Sequence, residues 1–204
     1  MTTFDERARD WDTPDRIARA AEVAEVVRSA IALKRTDRLV DVGAGTGLLG
    51  LALVDDVGEV VLLDPSAGMI EVATAKLAGG SLPTVSASRH DLLVDPPPAE
   101  RFDVAVSLLV LHHLADTRDA LRGIRALLVP GGRIALADLD TEDGTFHSAD
   151  AEGIHHHGFD RARLEALARE VGFDEVTTQT AIVLDEDEGH FGGYPVFLLT
   201  GRKG

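Results

Sequence analysis

The 204-residue chain contains no cysteine. That excludes a disulfide framework, a thiolate nucleophile and a cysteine-ligated zinc, and it accords with a cytoplasmic protein. No apolar run approaches the roughly 20 residues that cross a bilayer, so no membrane partner is expected. The N-terminus, "MTTFDERARDWD", is charged and lacks the apolar stretch of a secretory signal. Positive charge is also scarce: 20 Lys and Arg stand against 35 Asp and Glu, a formal net charge of −15. Nucleic-acid binding draws most of its affinity from phosphate neutralisation by Lys and Arg. With no basic block in the chain, a small neutral or cationic substrate is expected, and DNA or RNA is not. The most acidic run, Asp185 to Glu188, reads as a solvated loop. None of these features sets the oligomeric state.

What the chain does have is alternation. Short apolar runs rich in Val, Ile and Leu occur at "RLVDVG" (with Val40 and Val42), at "EVVLLD" (Glu59 to Asp64), within "FDVAVSLLVL" from Phe102, and at "GGRIALADL" (Gly131 to Leu139). Runs of this kind suit strands buried on both faces of a parallel sheet. Between them, helical patterns cover Gly47 to Val54, Ala67 to Leu77 and Thr117 to Leu128. The alternation predicts an open, doubly wound α/β sheet with helices on both faces. A leading helix is expected over Pro14 to Leu33, with Ile17, Ala20, Ala24, Val27 and Ile31 at helical spacing. The chain closes with a helix ("DRARLEALAREVGF") and two strands ("EVTTQTAIVL", "YPVFLLTG") whose short connection predicts an antiparallel hairpin. The proline-rich "VDPPPAERFD" is a connection within the sheet, because strand signals resume at once. One domain over residues 1–204 is therefore expected. Its parts are an N-terminal helical cap (1–36), a cofactor-binding half (37–139) and a half carrying the substrate side and the hairpin (140–204).

The stretch "LVDVGAGTGLLG" carries the chemistry. A phosphate-cradling GxxxxGK[ST] loop needs a Lys followed by Ser or Thr, and that pair is absent. The dinucleotide fingerprint GxGxxG needs its third glycine at position 48, which is Leu48. The pattern is instead D-x-G-x-G-x-G, formed by Asp41, Gly43, Gly45 and Gly47. A carboxylate at Asp41 repels a pyrophosphate but accepts from an ammonium or amide donor. Asp64 ends the second strand at the separation from Gly43 where an acid takes ribose hydroxyls, and it also reads as a helix N-cap. In "SRHDLL", Asp91 is suited to accept from the exocyclic amine of adenine while Leu92 packs on the ring.

These residues resemble the class I S-adenosylmethionine-dependent methyltransferases. The matches are "VDVGAGTG", "VLLDPSAGMI", "SRHDLL", "FDVAVSLLVLHHLAD" and "LLVPGGRIALAD", in the family's order over Leu39 to Asp138. The Trp11-containing leader and "HHHGF" are similar to those of small bacterial members. The resemblance implies a Rossmann-like, mostly parallel seven-stranded sheet and S-adenosylmethionine as cofactor, with methyl transfer to a small molecule. It implies a cofactor site of Asp41, Gly43, Ala44, Gly45, Gly47, Asp64, Pro65, Met69, Asp91, Leu92 and Ser107. Met69, at helical spacing from Val72 and Ala73, also reads as core. The fourth strand carries "VSLLVL" in place of the Asn/Asp-Pro-Pro-aromatic run of members that methylate amide or nucleobase nitrogens. An NAD-dependent oxidoreductase and a non-catalytic S-adenosylmethionine-binding module are the competing readings.

On the acceptor side, His112 and His113 follow the fourth strand and are candidate bases or packing residues. His155, His156 and His157 form the other histidine group, with His147 near in sequence. Adjacent histidines without a spaced carboxylate make a poor metal motif, so no metal is expected, and His156 and His157 are expected to wall the acceptor pocket. Asp138 and Asp140 read as strand-end or solvated loop acids. Trp11 is either a lid over the cofactor or a staple for the leading helix. Phe191, Tyr194 and Pro195 are assigned to the hairpin.

Overall fold

A computed structural model describes residues 4–79, 84–147, 153–184 and 193–204. Asp185 to Glu188 and Phe191, read above as loop and hairpin, lie outside the described residues. The sheet is built from β1 (Arg38–Val42), β2 (Glu59–Asp64), β3 (Val85–Arg89), β4 (Phe102–Leu108), β5 (Leu128–Leu139), β6 (Phe173–Leu184) and β7 (Tyr194–Lys203). Their order is β3-β2-β1-β4-β5-β7-β6. All neighbours from β3 to β5 pair in parallel, whereas β7 runs antiparallel to both β5 and β6. The terminal hairpin is thus present, with its second strand inserted against β5 and its first at the sheet edge.

The order reverses direction between β1 and β4, and in open α/β sheets ligands bind outside the carboxyl ends of the strands at that point. Two apolar layers keep the sheet rigid there. Along β1, Val40 and Val42 face a layer formed with α5 (Thr117–Leu127) and α6 (Arg161–Glu170), including Leu121, Ile124, Leu164 and Phe197. Leu39 faces the opposite layer, formed with α2 (Pro14–Ala30), α3 (Leu48–Ala52) and α4 (Ala67–Gly79), which includes Val23, Val27, Leu49, Leu62 and Ala73. Helix α5 shows what fixes such an element. Asp116 caps it by accepting from the Asp119 N–H at 2.9 Å, worth about 1 kcal/mol. Leu121, Ile124 and Leu127 are fully buried at about 1.5–3 kcal/mol each, so the apolar face dominates.

The N-terminus adds α1 (Phe4–Arg7), which continues as a single 3-10 turn, Ala8–Asp10. Helix α2 is shorter than the expected Pro14 to Leu33, because Ile31 turns extended (φ −128°). Strand β5 begins at Leu128, ahead of the expected Gly131, with a register shift against β4 that absorbs Pro130 and the two glycines.

Candidate active site

The glycine turn leaves β1 at the switch point, and Gly43, Gly45 and Gly47 all have positive φ (67°, 56° and 88°). Each answers a different demand. A Cβ on Gly43 would lie 2.5 Å from Val110 Cγ2, where the chain leaving β4 closes against the turn. One on Gly47 would lie 2.6 Å from Leu62 Cδ1. One on Gly45 meets only Trp11 Nε1 at 3.6 Å and Met69 Sδ at 3.8 Å, so this glycine is the one that keeps the surface of the turn open. Met69 is therefore both core and neighbour of the turn, and Ala44 ties the turn to β2 by donating its N–H to the Leu63 carbonyl at 3.0 Å.

Two carboxylates fasten the turn from below. Asp41, 1% exposed, accepts from the Gly50 N–H of α3 at 2.9 Å. Burial pushes its carboxyl up from 3.8 to about 7, with the charge of Asp64 adding to the rise and the Gly50 bond opposing it. Asp64, 8% exposed, accepts from Gly45 N–H and Ser66 N–H, both at 2.8 Å, one on each oxygen. Burial raises its pKa too, against the two amide bonds. Each Asp64 oxygen retains a lone pair for a further donor. Pro65 is exposed beside it, and its carbonyl accepts from Arg89 Nε at 2.9 Å. Asp91 is half-buried in the turn after β3 and accepts from the Leu93 N–H at 3.0 Å. The Leu92 side chain lies against Gly123 of α5 and packs on that core layer, so α5 claims part of the surface assigned to a base. Ser107 Oγ is buried at the carboxyl end of β4 with no hydrogen-bond partner among the described residues.

The leader covers the turn. Asp12 accepts from the Thr46 hydroxyl at 2.5 Å and pairs with Lys76, whose ammonium also donates to the Thr46 carbonyl at 2.8 Å. Asp5 accepts from the Ser66 hydroxyl (2.5 Å) and the Gly68 N–H (2.8 Å), bonds that hold its pKa below the usual value. The Arg16 and Arg7 guanidinium groups lie over the Trp11 ring, 4.2 and 5.1 Å from its centroid. The Thr13 side chain, not Trp11, caps α2. Trp11 Nε1 lies over the glycine turn, 3.6 Å from where a Cβ on Gly45 would stand.

The other side of the same edge is built of imidazoles. Leu109 takes a left-handed φ of 56° at the end of β4, strain of the kind found at functional sites, and delivers His112 and His113 on a 3-10 turn. His112, 1% exposed, meets Asp138 Oδ1 through Nδ1 at 2.7 Å. Asp138 is fully buried and also faces the N–H groups of Leu139 (2.8 Å) and His112 (3.4 Å), which corrects its reading as a solvated loop acid. Asp140 is likewise not free: Arg161 holds both its oxygens. His113 Nδ1 meets the Gly153 carbonyl at 2.9 Å, and His147 Nε2 lies 3.1 Å from His112 Nε2. Burial, then the neighbouring His112, lowers His113 and His147 to about 4, so both are uncharged at neutral pH. The Phe4 ring links this cluster to Trp11, edge-on to His113 at 5.3 Å and to Trp11 at 5.8 Å.

The side chains of His156 and His157 are not part of this imidazole cluster. His156 Nε2 approaches the Leu114 carbonyl (3.0 Å) and Thr117 Oγ1 (3.3 Å), bracing the turn into α5. His157 is 63% exposed beside Glu142. The segment still touches the site through its backbone, since the His155 and His156 N–H groups donate to the His112 carbonyl. Sequence reasoning missed the joining of His147 to His112. The turn that presents His147 is held by Glu142 Oε2, which accepts from Gly144, Thr145 and Phe146 N–H groups, a pattern without periodicity to detect.

A parallel sheet with a glycine turn at its switch point and an acid closing β2 defines a nucleoside-cofactor fold of the Rossmann-like class. Residues 40–134, a little under half of the chain, match a methyltransferase-domain family. An uncharacterised methyltransferase of Mycobacterium bovis is 32% identical over 115 residues, 55% of this chain and 57% of that protein. The chain spans about half the length of the curated relatives it matches. A chain of the Haloferax volcanii complex between the Trm112 methyltransferase activator and a candidate methyltransferase superposes with a TM-score of 0.78 at 21% identity, covering 99% of this chain and 98% of that one. A SAM-dependent methyltransferase from Aquifex aeolicus gives 0.70 at 18% identity, with 97% of each chain covered. Over residues 40–134 the chain is similar to the methyltransferase-domain family, and it shares its fold with these solved structures.

Proposed function

We propose that the protein transfers the methyl group of S-adenosylmethionine to a small-molecule acceptor. The observation that carries this is the pairing of Gly45, the open position of the glycine turn, with Asp64, whose oxygens are each fixed by one amide and keep a lone pair. A ribose diol fits that carboxylate, and a nucleoside passes the turn where a side chain at 45 would stand. Ser107 Oγ, buried and unpartnered among the described residues, is a further polar group suited to the cofactor's amino-acid part. The same reading gives Gly43, Ala44 and Gly47 the backbone approach, and Pro65, Met69, Asp91 and Leu92 the adenosine surroundings.

S-adenosylmethionine, when bound, supplies a methyl already activated by its sulfonium. The chain's own work is then to bind, orient and exclude water. Orientation alone is worth roughly 7–11 kcal/mol in favourable cases. Asp41 and Asp64 hold the turn in one conformation, and the leader roofs it through Asp12, Asp5 and Trp11. The acceptor enters beside His112, His113 and His147, at the carboxyl ends of β4 and β5. Among the described residues no helix is long and apolar enough to cross a membrane.

The test is incubation with methyl-labelled S-adenosylmethionine and a metabolite extract. The expected result is a small molecule heavier by one methyl group, with S-adenosylhomocysteine formed in step. Calorimetric binding of NADH in preference to S-adenosylhomocysteine overturns the reading in favour of an oxidoreductase. Donor binding without turnover across the extract leaves a binding module.

A further inference from the structure

We propose that His112, His113 and His147 form a binding site for one divalent late first-row transition ion, with zinc as the reference case. One nitrogen from each ring lies within 4.8 Å of the others. The hydrogen-bond chemistry fixes which lone pairs are offered. The Gly153 carbonyl only accepts, so His113 carries its proton on Nδ1 and presents Nε2 as a lone pair. Asp138 gathers two backbone N–H groups besides the ring, the pattern of an accepting carboxylate, so His112 donates from Nδ1 and its Nε2 is bare. His112 Nε2 and His147 Nε2 face each other at 3.1 Å. In the metal-free chain a single proton on His147 joins them, and an ion between the rings replaces it once His147 shifts that proton to Nδ1.

Neutral imidazoles are the commonest ligands of such ions. A carboxylate behind one ligand and a carbonyl behind another are the supports that orient metal-bound histidines. Metal–nitrogen bonds of about 2.0–2.1 Å require the rings to close slightly from their present spacing. Three protein ligands leave a coordination position for water or an acceptor oxygen, as in catalytic sites of this type. This histidine set differs from the adjacent trio His155–His157, which contributes no side chain to it.

The site stands on the imidazoles alone and is tested without methyl transfer. The protein, free of any polyhistidine tag and dialysed against chelator, is titrated with zinc by calorimetry and with cobalt by visible absorption. The expected result is one ion per chain and the absorption of a low-coordinate nitrogen site. His147→Ala is expected to weaken zinc binding by at least about 100-fold, and Asp138→Asn by about 10- to 100-fold. His90→Gln, outside the cluster, is expected to leave the affinity unchanged. Thermal midpoints verify folding, and His147→Gln, of similar size, replaces the alanine variant if that one unfolds. Absence of stoichiometric binding, or equal losses in the His147 and His90 variants, overturns the site. Methyl transfer that fails while zinc binding persists counts against the proposed activity and not against the metal site.

Discussion

Asp41 offers the most quantitative test of how this site is built. Its carboxyl is fully buried on the α3 face of β1 and titrates at about 7 against an ordinary value of 3.8. The folded pKa lies above the unfolded one, so the linkage has a definite sign. Below about pH 4 both states hold the proton and the group costs nothing. Between about 4 and 7 the unfolded chain releases a proton that the folded chain retains, and stability falls as pH rises. Above 7 both states are ionised and the full cost applies. At 1.36 kcal/mol per pKa unit, the difference is about 4 kcal/mol.

Asp41→Asn removes the ionisation and keeps an oxygen able to accept from the Gly50 N–H. Its extra amide hydrogens add a pH-independent cost of about 1–3 kcal/mol if left unpaired. The informative quantity is therefore the change in the variant-minus-wild-type difference with pH. Urea unfolding at pH 4.5, 6, 7 and 8 is expected to show the Asp41→Asn variant gaining on the wild type by about 3–4 kcal/mol across that range. Carboxylates other than Asp64, whose charge couples to Asp41, titrate alike in both proteins and cancel. A difference that stays flat with pH refutes the buried, proton-retaining carboxyl.

Asp64→Ala is expected to weaken S-adenosylhomocysteine binding by about 1.5–3 kcal/mol, or about 10- to 150-fold, measured by calorimetry; unchanged affinity removes the ribose assignment. Gly43→Ala and Gly45→Ala separate fold from site. The first places a methyl against Val110 and is expected to cost about 2–4 kcal/mol of stability in urea. The second costs about 1–2 kcal/mol and acts chiefly on donor affinity, so equal effects on binding count against an open position 45. No salt-sensitive gel shift with DNA or RNA is expected at physiological salt, given a net charge of −15; a sub-micromolar, salt-reversible shift contradicts this.

The parts legible in the sequence are those encoded locally. Strands β1, β2, β4 and β5 announce themselves because burial on both faces demands an unbroken apolar run. Strand β3, "VSASR", lies at the sheet edge with much of its surface exposed, so it needs no such run and is visible only through the family resemblance. The glycine spacing and Asp64 are legible because backbone geometry at a turn restricts residue type. The imidazole cluster is not, since it joins the turn after β4 to a loop after β5, 35 residues apart. Its formation depends on Glu142 folding that loop back and on Asp138 being buried, neither of which leaves a periodic trace. The run of three histidines is conspicuous in composition, yet the His156 side chain braces the turn into α5 and His157 is largely exposed beside Glu142.

Buried carboxylates recur along the functional edge of the sheet, and they share a construction. Asp41 at β1, Asp64 at β2 and Asp138 at β5 each accept backbone N–H groups from the segment that follows a strand. They clasp strand ends to the turns that carry the site. Burial is the main cause of the raised pKa values of Asp41 and Asp64, and the charges of Asp64 and Asp5, respectively, add to it. A cation brought to this edge relieves that repulsion, whereas a pyrophosphate adds to it. S-adenosylmethionine carries a sulfonium that its product, a neutral thioether, has lost. A site of this sign is therefore expected to favour donor over product and to disfavour NAD through the same field. The smaller, charge–charge part of those shifts is what a cationic ligand would relieve, an argument independent of the glycine spacing.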